Sequence, residues 1–338
     1  MNRRIKKISL FVVMALTGCC RVSAQQVNAP TLERPRLVVG IVVDQMRWDY
    51  LYRYQKRYVK GGFRRLLNEG FSCENTRIPY VPSVTAIGHT CIYTGSVPSI
   101  HGIAGNNFVK NGKKAYCTDD ATVKSVGTTS NAGLMSPRNM WVTTIGDEMK
   151  IASNGRAKVV GVALKDRASI LPAGHNPNGA FWFDDQTGNF ITSTYYMNDL
   201  PSWVKTFNGG RVPDRYLSEK WNTLYDKSTY IESTADDNDY ENGIKNGVKA
   251  TLPLNLPALY KKYGYNIIRN TPFGNSLTLD FAKAAIEGEQ LGADDETDLL
   301  TVSCSSTDYI GHQVGTHAVE TEDMYLRLDK AIADFLSY

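Results

Sequence analysis

Thr85 is the residue with the clearest chemical setting. It follows the extended stretch Pro79-Tyr80-Val81-Pro82-Ser83-Val84 and opens a run in which Ala86, Ile87, Thr90, Cys91 and Tyr93 recur at helical spacing. Each proline fixes its own φ and keeps the residue before it out of the helical region. Thr85 is therefore expected in the first turn of a helix, where free backbone N–H groups and the positive dipole end favour an anion. A hydroxyl there suits forming or holding a phosphate ester, and the plain alternative is a helix cap at Ser83 or Thr85. Three further sets could serve the same chemistry. Asp44 ends an apolar run, Lys165 and Arg167 end a second, and Asp308 with His312 follow a third. Lys and Arg two residues apart can converge on one oxyanion, Arg as a planar fork and Lys as a point charge. A carboxylate and an imidazole four apart face the same way on a helix and form half of a zinc shell. Asn106, between Gly105 and Asn107 in His101-Gly102-Ile103-Ala104-Gly105-Asn106-Asn107, sits where glycine allows close backbone approach to a ligand.

The elements that must position these residues are legible as patterns. Leu37 to Val43, Ala157 to Leu164 and Asp298 to Cys304 are continuous apolar runs without alternation, as in parallel strands buried on both faces. In open α/β sheets, functional groups gather beyond the carboxyl ends of such strands. A helix rich in Arg, Leu and Tyr follows Asp44 and ends near Asn68-Glu69-Gly70. Ser136-Pro137 reads as a cap with helix from Met140 to Ala152. Thr278 to Gly288 is helical, and Glu320 to Tyr338 carries Tyr325, Leu328, Ile332 and Phe335 along one stripe. Between about 175 and 265 the composition turns aromatic and polar. Phe181-Trp182-Phe183 and Phe190-Ile191-Thr192 flank a hairpin, and the segment reads as an insertion covering the site, its aromatics forming a local core. The fold class is α/β, a mostly parallel central sheet with helices on both faces.

The 338-residue chain has a formal charge of +4. Residues 1–24 hold Arg3, Arg4, Lys6, Lys7 and Arg21 with no acid, so the remainder carries −1, five charges lower. That excludes a nucleic-acid or anionic-membrane footprint by charge. Lys6-Lys7 followed by the short apolar run Ile8–Leu16 reads as an export signal, since a span needs about 20 apolar residues. Leu16-Thr17-Gly18-Cys19 resembles a lipoprotein box with a lipid anchor at Cys19, and Val22-Ser23-Ala24 an ordinary cleavage site. Either leads out of the cytoplasm, to the periplasm or a lipid-anchored position at the envelope. Residues 25–338 then form the portion beyond the signal, with the insertion at about 175–265. Export permits disulfides among Cys73, Cys91, Cys117 and Cys304, and spacing does not choose a pairing.

Three βα units thus deliver Asp44, Lys165/Arg167 and Asp308/His312 to one sheet edge, and a fourth connection delivers Thr85. A hydroxyl, metal ligands and an anion clamp are the parts of metal-assisted phosphoryl transfer. In this order Val42-Val43-Asp44-Gln45-Met46-Arg47, Pro82-Ser83-Val84-Thr85, His101 to Asn106, Leu164-Lys165-Asp166-Arg167 and Asp308 to His312 resemble the alkaline phosphatase superfamily. More narrowly, they are similar to bacterial phosphate-irrepressible members with a threonine nucleophile. The resemblance runs from about residue 36 to the end. It implies an exported two-zinc hydrolase of small phosphorylated substrates. Asp44 and Thr85 would bind one zinc, Thr85 becoming phosphothreonine. Asp308 and His312 would bind the other, and Asn106, Lys165 and Arg167 would hold the phosphate oxygens. The family also supplies an Asp-His pair and a further His, which have no match here up to Tyr338. The chain is accordingly expected to be the N-terminal portion of such an enzyme, binding zinc weakly and turning over poorly alone.

A sulfatase is disfavoured, because Ala86-Ile87-Gly88-His89 follows Thr85 instead of a Pro-x-Arg pattern. A nucleotide pyrophosphatase/phosphodiesterase shares most parts, but Lys165 with Arg167 favours dianionic monoesters. The reading from a different class is a non-catalytic exported module that captures phosphorylated ligands.

Overall fold

The computed structural model describes residues 34–245 and 247–338, so the export signal and Cys19 lie outside the described residues. Six strands build one sheet: β1 (Leu37–Val43), β2 (Ser125–Val126), β3 (Val159–Ala163), β4 (Gly179–Asp184), β5 (Asn189–Ser193) and β6 (Asp298–Cys304). Their spatial order is β1-β6-β3-β4-β5-β2. The first four run parallel, and the β4–β5 and β5–β2 joints are antiparallel. The three apolar runs of the sequence lie side by side as β1, β6 and β3. β6 and β3 are buried along their whole length, and β1, at an edge among the described residues, is half-buried.

Helices cover both faces. On one lie α1 (Thr85–Thr94), α2 (Ile145–Ala152) and α3 (Asp166–Ala173). Close approach here depends on glycine: a Cβ at Gly40 in β1 would stand 2.3 Å from the Tyr93 hydroxyl of α1. Tyr93 instead donates to the Gly40 carbonyl at 3.1 Å, which lays α1 directly along β1. On the other face, α4 (Phe273–Glu289) stacks Phe281 on Phe190 of β5 at 3.8 Å between ring centroids. α5 (Ser306–Val314) leads into α6 (Val319–Ser337), whose expected stripe of Tyr325, Leu328, Ile332 and Phe335 is buried. This main core, with Trp221, Phe181 and Phe183 fully enclosed, carries most of the hydrophobic stabilisation, and two smaller clusters, around Leu171 and Trp182, lie beside it.

Some element boundaries differ from expectation. The helix expected from Met140 starts at Ile145, because Thr144 and not Ser136 caps it. Thr144 accepts from Asp147 N–H (3.2 Å) and Asp147 accepts from Thr144 N–H (2.9 Å), a reciprocal capping box. Ser136 spends its hydroxyl on Asp120. The helix expected after Asp44 is two short pieces, Tyr50–Arg53 and Phe63–Glu69. The insertion expected over 175–265 needs correcting at its start. The hairpin supplies β4 and β5 of the central sheet, and Phe181, Trp203, Phe207 and Trp221 pack in or against the main core. Alternation failed as a signal there because β4 is buried on both faces. Cys73, Cys91, Cys117 and Cys304 are all free thiols.

Candidate active site

The strand ends converge. A cavity of about 590 Å³ at the carboxyl edge is lined by Asp44, Thr85, Asn106, Lys165, Arg167, Asp308 and His312, the seven residues singled out by type and spacing. None of the described residues within 175–265 lines it. That segment instead meets the rim from outside, where Asn242 N–H donates to the Gln313 carbonyl at 2.8 Å.

Asp44 caps β1, and Thr85 is the first residue of α1, with Val84 as an N-cap that makes no side-chain bond. The Thr85 hydroxyl is therefore not consumed as a cap. It donates to Asp44 Oδ2 at 3.1 Å. Lys165 Nζ lies 2.6 Å from the same Oδ2, 2.5 Å from Asp308 Oδ2 and 3.3 Å from Thr85 Oγ1. Its side chain is 1% exposed, so one ammonium ties both carboxylates and the hydroxyl together without water between them. Burial works against the Asp44 carboxylate, but Lys165, with the Thr85 hydroxyl, holds its pKa below the ordinary value. The Tyr309 ring lies 4.8 Å from the Lys165 ammonium and closes its other side.

Arg167 is aimed by a relay. Its Nη1 donates to the Tyr116 hydroxyl at 2.8 Å, and Tyr116 donates to Asp166 Oδ1 at 3.0 Å. Thr118 donates to the other Asp166 oxygen at 2.5 Å. Arg167 Nε is buried without a partner, a donor free for an incoming anion. The Asn106 side-chain oxygen accepts from Ala86 N–H at 3.0 Å, so its amide nitrogen is the group left for a ligand. His312 Nε2 lies 3.2 Å from Asp308 Oδ1, on the same face of α5. Between them, Gly311 leaves room for the Gln45 side-chain amide, whose Oε1 would lie 2.0 Å from a Cβ there.

Several supporting residues escaped the sequence. His89 is fully buried behind Thr85. Its Nδ1 donates to the Thr85 carbonyl and its Nε2 accepts from Ser303 of β6, both at 2.8 Å. Burial lowers its pKa against the pull of Asp44, keeping it neutral. Its i+4 spacing from Thr85 was a usable signal. Asp166 stood inside the Lys165–Arg167 triplet, whereas Tyr116 comes from the separate ribbon Asn107–Lys110/Lys113–Tyr116 and carried none. His101 accepts from Ile103 N–H at 3.1 Å and is fully buried.

A family model described as type I phosphodiesterase / nucleotide pyrophosphatase matches residues 38–338. The chain belongs to that family. Within it, a Myroides odoratus protein named calcium-transporting ATPase is 57% identical over 95% of this chain and 59% of its own length. Alkaline phosphatase PafA of Elizabethkingia meningoseptica is 55% identical over 98% of this chain and 60% of its own. Alkaline phosphatase PhoV of Synechococcus elongatus is 53% identical over 98% and 62%. The crystal structure of wild-type PafA matches with a TM-score of 0.89 and 57% identity, covering 90% of this chain and 59% of that one. A PafA mutant altered at a Thr, an Asn, a Lys and an Arg matches at 0.88. Those residue types, in that order, are those of Thr85, Asn106, Lys165 and Arg167. The chain thus spans about three-fifths of the length of these relatives, and the mostly parallel α/β fold is that of PafA. No helix among the described residues is long and apolar enough to cross a membrane.

The donor types in the cavity suit zinc, and their number is half of what zinc takes. Asp44 with Thr85, and Asp308 with His312, are two pairs of O and N donors, where a shell needs three or four. Among the described residues no group of three His, Cys, Asp or Glu could hold a metal ion. Lys165 occupies the middle ground and bridges both carboxylates, offsetting one of their two charges.

Proposed function

We propose that this chain carries the nucleophile and phosphate-binding half of a zinc-dependent hydrolase of phosphate monoesters. One observation carries the reading: the Thr85 hydroxyl, Asp44, Asp308, Lys165 and Arg167 meet in one cavity, with Thr85 Oγ1 within 3.3 Å of both a carboxylate and a buried ammonium. The names PafA and PhoV carry as alkaline phosphatases support it. Thr85 Oγ attacks phosphorus, the bond from phosphorus to the departing oxygen breaks, and the proton lost by the Thr85 hydroxyl is balanced by the one the departing oxygen takes up as it leaves as the alcohol. Asp44 accepts the hydrogen bond that orients the hydroxyl, and His89 fixes the turn through the Thr85 carbonyl. Lys165, Arg167 and the Asn106 amide bind the non-bridging oxygens, stabilising charge that spreads onto them at the transition state. Water then hydrolyses the phosphothreonine ester, returning the Thr85 hydroxyl and releasing phosphate. Asp44 with Thr85 and Asp308 with His312 would hold two zinc ions with donors from outside the described residues. Zinc, when bound, lowers the pKa of hydroxylic ligands and stabilises charge on oxygen.

The family description also names phosphodiesterases, and one experiment separates the substrates. Replacing Lys165 and Arg167 together with Ala in the full-length protein is expected to reduce kcat/KM for a monoester far more than for a diester, which has one charge fewer and a second substituent to accommodate. Equal losses would remove the monoester assignment. The pattern of residues 1–24 places the enzyme outside the cytoplasm, periplasmic or lipid-anchored at Cys19, with small phosphorylated molecules as partners.

A further inference from the structure

Arg269 lies in the 3₁₀ turn Gly264–Asn270, just ahead of α4, and its side chain is only 10% exposed. It lines no part of the cavity, yet its guanidinium reaches toward the cavity wall in three directions. Nε donates to Asp185 Oδ1, in the turn between β4 and β5, at 2.6 Å. Nη2 donates to the Phe183 carbonyl of β4 at 2.9 Å. Nη1 donates to the Leu164 carbonyl at 2.9 Å and to the Tyr309 hydroxyl at 3.3 Å. A buried guanidinium is tolerated when it is paired and its donors are used, and here Asp185 supplies the charge and the other three acceptors take the remaining arms.

Two of these partners belong to the surroundings of Lys165. Leu164 is the residue before it, at the end of β3, so its carbonyl fixes the peptide from which the Lys165 side chain springs. Tyr309, on α5 beside Asp308, lines the cavity, and its ring lies 4.8 Å from the Lys165 ammonium and 5.7 Å from the Arg269 guanidinium carbon. One nitrogen of Arg269 therefore ties both the root of Lys165 and the ring on which its far end rests. That matters because lysine carries its charge on a flexible four-carbon stem, with about 2 kcal/mol of rotamer entropy to lose. Joining the end of β3 to β4 would need only the bonds to Leu164, Phe183 and Asp185, and the bond to Tyr309 lies outside that purpose. Arg167 has its own support in Tyr116, and Arg269 is the corresponding support for Lys165.

We infer that Arg269 is a positioning residue for phosphoryl transfer, holding the end of β3 and the Tyr309 ring so that the Lys165 ammonium stays beside Thr85 Oγ1. The inference rests on the reading of Lys165 as a group that binds phosphate oxygens. Arg269 itself touches neither the Thr85 hydroxyl nor any other reacting group. It acts through Lys165, whose value to a developing charge depends on where the ammonium is fixed beforehand. The planar fork is what the position requires, since it meets acceptors on β3, β4, the β4–β5 turn and α5 together. A lysine ammonium in its place keeps the charge opposite Asp185 and lacks the fork. The hairpin of β4 and β5, which does not line the cavity, is by this route joined to it.

The test is a double-mutant cycle in the full-length protein, with kcat/KM for a phosphomonoester measured on each folded variant. Arg269→Gln is expected to lower kcat/KM about 10-fold when Lys165 is present and less than about 2-fold in the Lys165→Ala background. Arg269→Lys, with the charge but not the fork, is expected to recover part of that activity, leaving a loss of about 3-fold. Should Arg269→Gln not fold, Arg269→Lys run through the same cycle carries the test, its loss again expected to vanish without Lys165. Equal losses with and without Lys165 overturn the inference and leave Arg269 a brace between strands, and so does an Arg269→Gln protein of undiminished activity. In both cases a lowered kcat/KM in Lys165→Ala keeps the reading of the cavity intact. A Lys165→Ala protein that loses nothing overturns that reading and the inference with it.

Discussion

Two clusters of buried acid in this molecule are held in opposite ways. At the sheet edge, Asp44 and Asp308 share the Lys165 ammonium at 2.6 and 2.5 Å, and the pKa of Asp44 is held down despite its burial. Under the start of α6, Glu320 and Glu241 share no cation, and the pKa of each is raised. The first cluster sets one built-in ammonium between its two carboxylates and leaves its reactive hydroxyl and its cations facing a cavity. In the second, neither oxygen of Glu320 has a partner. Buried carboxylates cost little when a fixed positive charge is built in, and otherwise imply a mobile one, a proton or a metal ion. The difference separates a site made for anions from an acid that burial holds protonated.

Breaking the first cluster at its centre has the largest expected effect. Thr85→Ala in the full-length protein should reduce kcat for a phosphomonoester by about 10³-fold or more, with zinc content by elemental analysis little changed. Retained turnover would take the nucleophile role from Thr85. Lys165→Ala comes next, with a loss of about 10²-fold or more in kcat/KM. It also changes the acid limb of stability. A carboxyl whose folded pKa is lowered contributes stability above its unfolded pKa and loses it as pH falls through the folded value. Without Lys165, burial dominates at Asp44, so loss of Tm is expected to begin at a higher pH. Melting curves from pH 3 to 6 check this, and superimposable profiles would show that Lys165 does not offset the charge of the pair.

The second cluster gives the opposite slope. A carboxyl raised to about 9 in the folded protein contributes stability that is full below its unfolded pKa and is lost as pH rises toward 9. Tm of the wild type should therefore decline between about pH 4.5 and 9, more steeply than that of Glu320→Gln. Equal slopes would mean that Glu320 is not held neutral by its surroundings. The smallest effect tests the aim of Arg167. Tyr116→Phe removes one hydrogen bond to the guanidinium, worth about 0.5–1.5 kcal/mol, and should raise KM about 2- to 10-fold with little change in kcat.

Much of the site could be seen in the residues themselves because each part sits where a periodic pattern stops. Asp44, Lys165 and the Asp308 helix each follow a continuous apolar run, and such runs in a parallel sheet all end on one edge. Asp308 and His312 needed only helical spacing. The insertion was harder to delimit: β4 and β5 look like aromatic filler in sequence, since a strand covered on both faces shows no alternation. The supports were harder still. Tyr116 reaches Arg167 from 51 residues away, and Ser303 reaches His89 from 214.

The order of apolar runs and polar stops therefore determined by itself that this is a parallel α/β chain with a hydroxyl, two acid-bearing half-shells and a cationic pair at strand mouths. Those are local properties of spacing and periodicity. Which charges cancel was decided only in three dimensions. That Lys165 bridges two aspartates while Glu320 has no partner depends on distances between residues far apart in the chain, and a buried charge takes its meaning from its neighbours in space.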